Sequence, residues 1–265
     1  MKIKLIALDL DDTLLDSKLA VSPRACAAIR KAVAIGVMVT IATGRMYASA
    51  LPYARQLGLD VPIITYNGAL IKSCLSGEVL LNRPVPRELT GQILALCRER
   101  GWHVQTYVDD ELHVAELNHY AQRYAELAGV PAVVLGNRLY TEAGCPSKIL
   151  IMADPAEIVK ISGQLKAAFA GKLSIAVSKP TFLELTDPLA NKGQALAFLA
   201  DGLGIKQAEI MALGDSGNDL AMVQYAGWGV AMGNANAAVK AAARLETLSN
   251  DADGVAEAIE KYILR

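Results

Sequence analysis

Residues Ile3-Lys-Leu-Ile-Ala-Leu-Asp9-Leu-Asp11-Asp-Thr13-Leu-Leu15 set an apolar strand directly ahead of two carboxylates one residue apart. Strands this apolar belong in sheets covered on both faces, which are typically parallel sheets with helices packed on them. The chain leaves the strand at the carboxylates, so both can converge at its C-terminal edge. In open α/β sheets that edge is where ligands bind. Acidic side chains crowded there repel each other unless a cation or a proton offsets them. The motif therefore points to a divalent cation, to acid/base work, or to both. Taken alone, it is also what an ordinary acidic turn looks like.

The segments that follow keep the same rhythm. Ser22-Pro23 opens a helix, with serine as cap and proline at the first helical position, and Gly36 ends it. Val37–Ala42 is a second apolar strand closing in Thr43-Gly44-Arg45. The next helix is expected to break or bend near Pro52. Val61–Tyr66 is a third strand, ending in Asn67-Gly68. Strand–helix alternation of this kind predicts a right-handed parallel sheet. The pattern then changes. Short strands surround Ser76-Gly77, a helix spans Arg87–Arg100, and antiparallel strands turn at Asp109-Asp110. Helices follow over 118–128 and 156–170, with a strand at Lys148–Met152 between them and a strand pair turning near Lys179-Pro180. Parallel-sheet character resumes at Asn191-Lys192-Gly193 and continues through strands Ile210–Leu213 and Trp228–Met232. The expected fold class is α/β: a Rossmann-like, doubly wound parallel sheet core made of residues 1–82 and 188–265. An α+β domain, residues 83–187, is inserted in it.

Composition excludes several function classes. A net charge of −1 offers no polyanion-binding surface, which argues against nucleic acid. No run of about eighteen apolar residues is present, which argues against a membrane span. Cys26, Cys74, Cys97 and Cys145 form no CxxC pair and are expected to be reduced and mostly packed inside, in a cytoplasmic protein. His103, His113 and His119 lack zinc spacing and are read as structural or surface residues.

Polar signals recur at the C-terminal ends of apolar strands: Asp9 and Asp11, Thr43-Gly44-Arg45, Asn67-Gly68, and Gly214-Asp215, with Lys192 opening a helix. In a parallel sheet these ends share one face. Each signal alone has a plain explanation as a turn, a helix start or an acidic loop. Together they assemble carboxylates for a hard cation, a hydroxyl, a small-residue turn and a lysine, an inventory suited to a phosphoryl group. A carboxylate can attack phosphorus and split hydrolysis into two steps through an aspartyl-phosphate. Mg2+ on Asp9 and Asp215 would screen nucleophile from substrate. Lys192 would supply a point charge. Thr43 Oγ1 and the Gly44 N–H would add hydrogen bonds. Asp11 would protonate the leaving oxygen and then accept a proton from water.

These residues resemble the haloacid dehalogenase superfamily, specifically its Cof-like phosphatases with an inserted α/β cap. The matching motifs are Asp9-Leu-Asp11-Asp-Thr13-Leu14, Thr43-Gly44-Arg45, Asn67-Gly68-Ala69, Asn191-Lys192-Gly193 and Gly214-Asp215-Ser-Gly-Asn218-Asp219. Gly229-Val-Ala-Met-Gly233-Asn-Ala and Asn250-Asp-Ala-Asp-Gly254-Val255 continue the pattern. The resemblance implies a nucleophile at Asp9 and a general acid/base at Asp11. It implies Mg2+ held by Asp9, the Asp11 carbonyl and Asp215, and phosphate contacts at Thr43, Gly44, Lys192 and Asn218. Asp219 is implied to support the metal loop, and Arg45 and Asn67 to line the site. Asp12 stands where many superfamily members carry glycine. The implied activity is hydrolysis of a small phosphorylated metabolite. A sugar phosphate comes first, ahead of pyridoxal phosphate or a flavin-pathway phosphate. The alternative is a phosphomutase with the same aspartate nucleophile.

Overall fold

The computed structural model describes residues 2–142 and 144–264. The chain divides into two compact units, 1–81 with 191–265, and 82–190.

The first unit is built on a five-stranded sheet ordered Leu245–Glu246, Trp228–Ala231, Ile210–Gly214, Leu5–Leu8, Met38–Ile41. Every neighbouring pair is parallel. Leu5, Ile6, Ala7 and Leu8 are fully buried, as an apolar strand sandwiched between helices must be. From Leu5–Leu8 the chain moves to Met38–Ile41 on one side. The Ile210–Gly214 strand lies on the other side, and from there the chain moves outward to Trp228–Ala231. The order thus reverses between Leu5–Leu8 and Ile210–Gly214, which creates the crevice where such sheets bind ligands. Right-handed crossovers in opposite directions place helices on both faces. Helix Pro23–Ala34 pairs with Gly254–Tyr262, and Lys192–Gly202 with Leu220–Tyr225. Ser22 caps the first of these by accepting from the Ala25 N–H, with Pro23 at the first position.

Strand register decides which residues share the sheet edge. Leu8 pairs with both Leu213 and Ile41, so Asp9 emerges beside Gly214 and Ala42.

One expectation changes here, and of the break or bend expected at Pro52 the break does not occur. Among the described residues the third strand, Ile63–Thr65, joins the main sheet only through a parallel bridge between Ala42 and Ile64. It belongs to a separate three-stranded sheet with Leu70–Lys72 and Val79–Asn82. The helix Tyr47–Leu57 runs through Pro52 without ending. Its buried face, including Tyr47, Ala50, Ala54 and Leu57, offsets the hydrogen bond that proline removes.

The second unit carries a six-stranded sheet ordered Ser174–Lys179, Phe182–Thr186, Lys148–Met152, His103–Val108, Glu111–Val114, Ala132–Val134. Asp109 and Asp110 both adopt positive φ (52° and 65°), the conformation a two-residue hairpin turn requires. Helices Arg87–Arg100 and Pro155–Ala168 bury Ile93, Leu94, Ile158, Ile161 and Leu165 against Val104, Ile149, Ile151, Leu183 and Leu185 of the sheet. The alternate sheet positions carry a polar cluster. Lys148 is buried, donates to Glu184 at 3.0 Å, and lies 5.0 Å from the Tyr107 ring centre. Gln105 donates to the Tyr107 hydroxyl at 2.7 Å. The strand Ala132–Val134 and the short helix Arg138–Thr141 carried no usable sequence signal. Cys145 is exposed and Cys26 half-buried, against the expectation of mostly packed thiols, while Cys74 and Cys97 are buried. Among the described residues no helix is long and apolar enough to cross a membrane.

Removing one partner of a buried ion pair leaves a stranded charge, which costs about 3–5 kcal/mol. Glu184→Ala is therefore expected to lower the urea midpoint of unfolding strongly. The paired replacement Lys148→Met with Glu184→Leu should recover most of that loss, because no lone charge then remains buried.

Candidate active site

Asp9 directly follows the strand Leu5–Leu8 and is 4% exposed, with its N–H donating to Leu213 O at 3.2 Å. The chain then makes one wide turn. The Leu15 N–H reaches Leu10 O at 2.9 Å, and Asp12 takes a left-handed conformation (φ 57°, ψ 12°). Wide turns of this kind occur disproportionately at functional sites. Asp12 is tolerated at the left-handed position because a short polar side chain fits there better than a branched one.

Lys192 opens the helix Lys192–Gly202, which Asn191 caps by accepting from the Gln194 N–H. Its ammonium is fully buried and donates to Asp9 Oδ1 and to Asp219 Oδ1, each at 2.6 Å. Asp219 Oδ2 accepts from the N–H groups of Asp215 and Ser216, both at 3.0 Å. Asp219 is thus committed on both oxygens and braces the loop that presents Asp215. A Cβ on Gly214 would fall 2.4 Å from Asp219 Cβ, so only glycine allows this loop to close so tightly. Thr13 Oγ1 donates to Asp215 Oδ1 at 2.9 Å. Thr13 was visible in the sequence as part of the Asp9 motif, but its task of orienting Asp215 across 202 residues was not.

The remaining turns gather around this group within the same unit. Thr43 is buried and its Oγ1 accepts from the Arg45 N–H at 3.1 Å. Asn67 is left-handed (φ 57°, ψ 26°), and its N–H donates to Thr43 O at 3.0 Å. Asn218 Nδ2 donates to Asn67 Oδ1 at 2.9 Å, tying the Asp215 loop to the Asn67 turn. Gly44 lies under that amide: a Cβ there would meet Asn67 Oδ1 at 2.9 Å. Arg45 pairs with Asp11 through two hydrogen bonds, Nη2 to Oδ1 at 2.6 Å and Nε to Oδ2 at 2.9 Å. Asn234 holds the wide turn from outside by donating to Asp12 O at 2.8 Å.

The electrostatics of the site are those of excess negative charge. Burial raises the Asp9 carboxyl well above the usual carboxylate range. Asp219 adds repulsion and Lys192 offsets part of it. Burial, reinforced by Asp219, pushes Asp215 up to about 6 against the hydrogen bond from Thr13. Burial pulls the Lys192 ammonium down, but Asp219 and Asp9 outweigh it and hold it above its ordinary value. Asp9, Asp215 and Asp219 each offer an oxygen, and these oxygens lie within 4.8 Å of one another. Asp9 and Asp215 each keep one oxygen without a hydrogen-bond donor among the described residues. A set of carboxylate oxygens under mutual repulsion fits a hard divalent cation. The Asp11 carboxylate stays outside that group.

Residues 6–259 match the family model for haloacid dehalogenase-like hydrolases. The HMP-PP phosphatase of Serratia proteamaculans is 33% identical over 243 residues, covering 88% of this chain and 84% of that protein. The pyridoxal phosphate phosphatase of Escherichia coli is 28% identical over 100% of both chains. Among solved structures, a haloacid dehalogenase-like hydrolase from Bacteroides thetaiotaomicron superposes with a TM-score of 0.91 at 35% identity. It covers 98% of this chain and 99% of that one.

The raised Asp215 carboxyl has a consequence for stability. It binds its proton more tightly folded than unfolded, so its stabilising share is complete below about 3.8 and lost as pH rises through about 6. Asp215→Asn keeps an acceptor for Thr13 and removes the titration. In chelator, the melting temperature of the variant should rise relative to the parent as pH is raised from about 4 to about 6. Parallel melting curves at all pH values would contradict the assignment.

Proposed function

The chain belongs to the haloacid dehalogenase-like hydrolases and is a phosphatase of that family, and we propose that it is Mg2+-dependent and works through an aspartyl-phosphate on Asp9. The observation that carries this reading is the meeting of Asp9, Asp215 and Lys192, from three distant stretches of chain, at the switch point of a parallel sheet.

The residues divide the work as follows. Asp9 supplies a carboxylate oxygen that bonds to phosphorus as the ester P–O bond breaks and its electron pair leaves with the alcohol oxygen. Asp11 gives that oxygen its proton, then takes a proton from the water that attacks phosphorus and restores Asp9. Thr43 Oγ1, the Gly44 N–H and Asn218 bind the phosphoryl oxygens, and Lys192 offsets charge on both Asp9 and the phosphoryl group. Asp215 and the Asp11 carbonyl would hold the cation together with Asp9, while Asp219 and Thr13 fix the Asp215 loop. When bound, Mg2+ neutralises charge between two anions that would otherwise repel. Arg45 and Asn67 shape the edge of the site.

The substrate class is a small phosphorylated metabolite. A sugar phosphate is the first choice, and a solved relative at 26% identity is a sugar phosphatase. Pyridoxal phosphate and 5-amino-6-(5-phospho-D-ribitylamino)uracil, carried in the names of other relatives, complete the panel. The inserted domain, residues 82–190, is assigned the role of a cap that selects among them.

Phosphate release from 4-nitrophenyl phosphate and from this panel tests the proposal. Turnover should require Mg2+ and vanish in Asp9→Asn. Asp11→Asn should lose about 10²–10⁴-fold, the usual worth of general acid/base catalysis. Metal-independent turnover, or full activity in Asp9→Asn, would overturn it. Isomerised sugar phosphate without free phosphate would point instead to a mutase.

A further inference from the structure

We propose that Arg45 is the positioning residue of Asp11: its guanidinium holds the acid/base carboxylate in a fixed place and releases one oxygen to the leaving group. The proposal rests on the reading of Asp11 as general acid/base and assigns to Arg45 a task beyond lining the site.

The geometry is a forked pair, with both Asp11 oxygens engaged at 2.6 and 2.9 Å. A planar guanidinium matches a carboxylate in this way, and an ammonium does not. The two partners are unequally held. The Arg45 side chain is 15% exposed and that of Asp11 47%. Arg45 is also anchored from both ends. Its N–H donates to Thr43 Oγ1 at 3.1 Å, and its carbonyl accepts from the Tyr66 N–H at 2.9 Å. Its guanidinium lies 5.2 Å from the Tyr53 ring centre and donates to the Tyr53 hydroxyl at 3.4 Å. That hydroxyl in turn donates to Leu19 O at 3.4 Å. Asp11 sits on an extended residue (φ −68°, ψ 130°) just before the left-handed Asp12. Arg45 is therefore the fixed member and Asp11 the one able to turn.

The site needs such a partner. Three carboxylates already crowd within 4.8 Å, and Asp11 lies only two residues from Asp9. In the absence of the fork, a fourth carboxylate would add repulsion and compete for the cation. The fork occupies both oxygens and keeps Asp11 out of that group. Proton transfer then requires one Asp11 oxygen to leave its N–H partner and face the leaving oxygen while the other stays bound. The carboxylate pivots on one retained hydrogen bond and does not search at random. Misplacing a reacting group by about 1 Å can cost on the order of 10²-fold, so this restriction bears directly on rate. Asp11 is ionised while forked, so the oxygen that leaves its N–H partner first takes a proton from solvent. In the step itself, an Asp9 oxygen bonds to phosphorus, the ester P–O bond breaks with its pair on the leaving oxygen, and that Asp11 proton moves to the leaving oxygen.

Leaving groups of graded basicity read this out. A nitrophenolate departs with little need of a proton, and a methoxyphenolate needs one more. The measurement is kcat/KM for a series of substituted phenyl phosphates, from 4-nitrophenyl to 4-methoxyphenyl, with Mg2+ present. Partial misfolding or loss of uniform phosphate binding scales the whole series by one factor, whereas loss of proton delivery steepens it. Arg45→Ala is expected to lose at least about tenfold more on the 4-methoxyphenyl ester than on the 4-nitrophenyl ester. Arg45→Lys, which keeps the charge without the fork, should fall between. Adding Arg45→Ala to Asp11→Asn should steepen the series no further, because the two residues act as one unit. A uniform loss in Arg45→Ala, beside a steepened series in Asp11→Asn, would overturn the positioning role and leave the acid/base reading standing. An unsteepened series in Asp11→Asn would overturn that reading itself, and the role of Arg45 with it.

Discussion

The buried ammonium of Lys192 is the contact on which the site is built. It lies between Asp9 and Asp219, 2.6 Å from each, with no exposure to solvent. A lone charge at that depth would cost several kcal/mol, and two facing carboxylates without a cation would repel each other. The three groups are tolerable only together. Their meeting fixes the relative places of the first strand, the helix Lys192–Gly202 and the loop after Ile210–Gly214. Even so, two carboxylates with one ammonium leave the site negative, as the raised Asp9 and Asp215 carboxyls register. That residual charge gives a divalent cation its place.

The backbone around this contact adopts conformations that ordinary sequences avoid. Asp12 and Asn67 are left-handed. Gly68 has φ of 100°, and a Cβ at that position would fall only 2.5 Å from Asn191 O. Gly68 therefore lets the Asn67 turn approach the start of the lysine helix. Asparagine and aspartate are the non-glycine residues that accept such φ values most readily, and Asn67 also brings the side chain that accepts from Asn218. Strain and a site side chain fall together at Asn67, as is common where structure serves function.

Much of this architecture was legible in advance, for identifiable reasons. Helix Arg87–Arg100 matches the sequence reading in both bounds, because apolar spacing and clear termini coincide there. The Asp109-Asp110 hairpin was readable from alternation on either side of a turn dipeptide. The two-residue strand Leu245–Glu246 and the three-residue strand Ala132–Val134 were not readable, since so few residues carry no period. At Pro52 the helix continues because the local rule was outweighed by burial on the same helix. Within the site, residue types and strand ends could be read directly. The partnerships could not: Thr13 with Asp215, Asn67 with Asn218, and Lys192 with both Asp9 and Asp219 join positions 27 to 202 residues apart.

The amino-acid order by itself determined the strand–helix alternation, the interruption by an inserted α+β unit, and the placing of acids, threonine and lysine at strand ends. These are local properties, carried by hydrophobic period and by turn residues. Tertiary structure alone decided the register that sets Asp9 beside Gly214, the commitment of Arg45 to Asp11, and the burial of Lys192. Such outcomes depend on which distant groups share a desolvated volume. No single segment encodes them, because the free energy of each charge is set by neighbours that only the folded chain supplies.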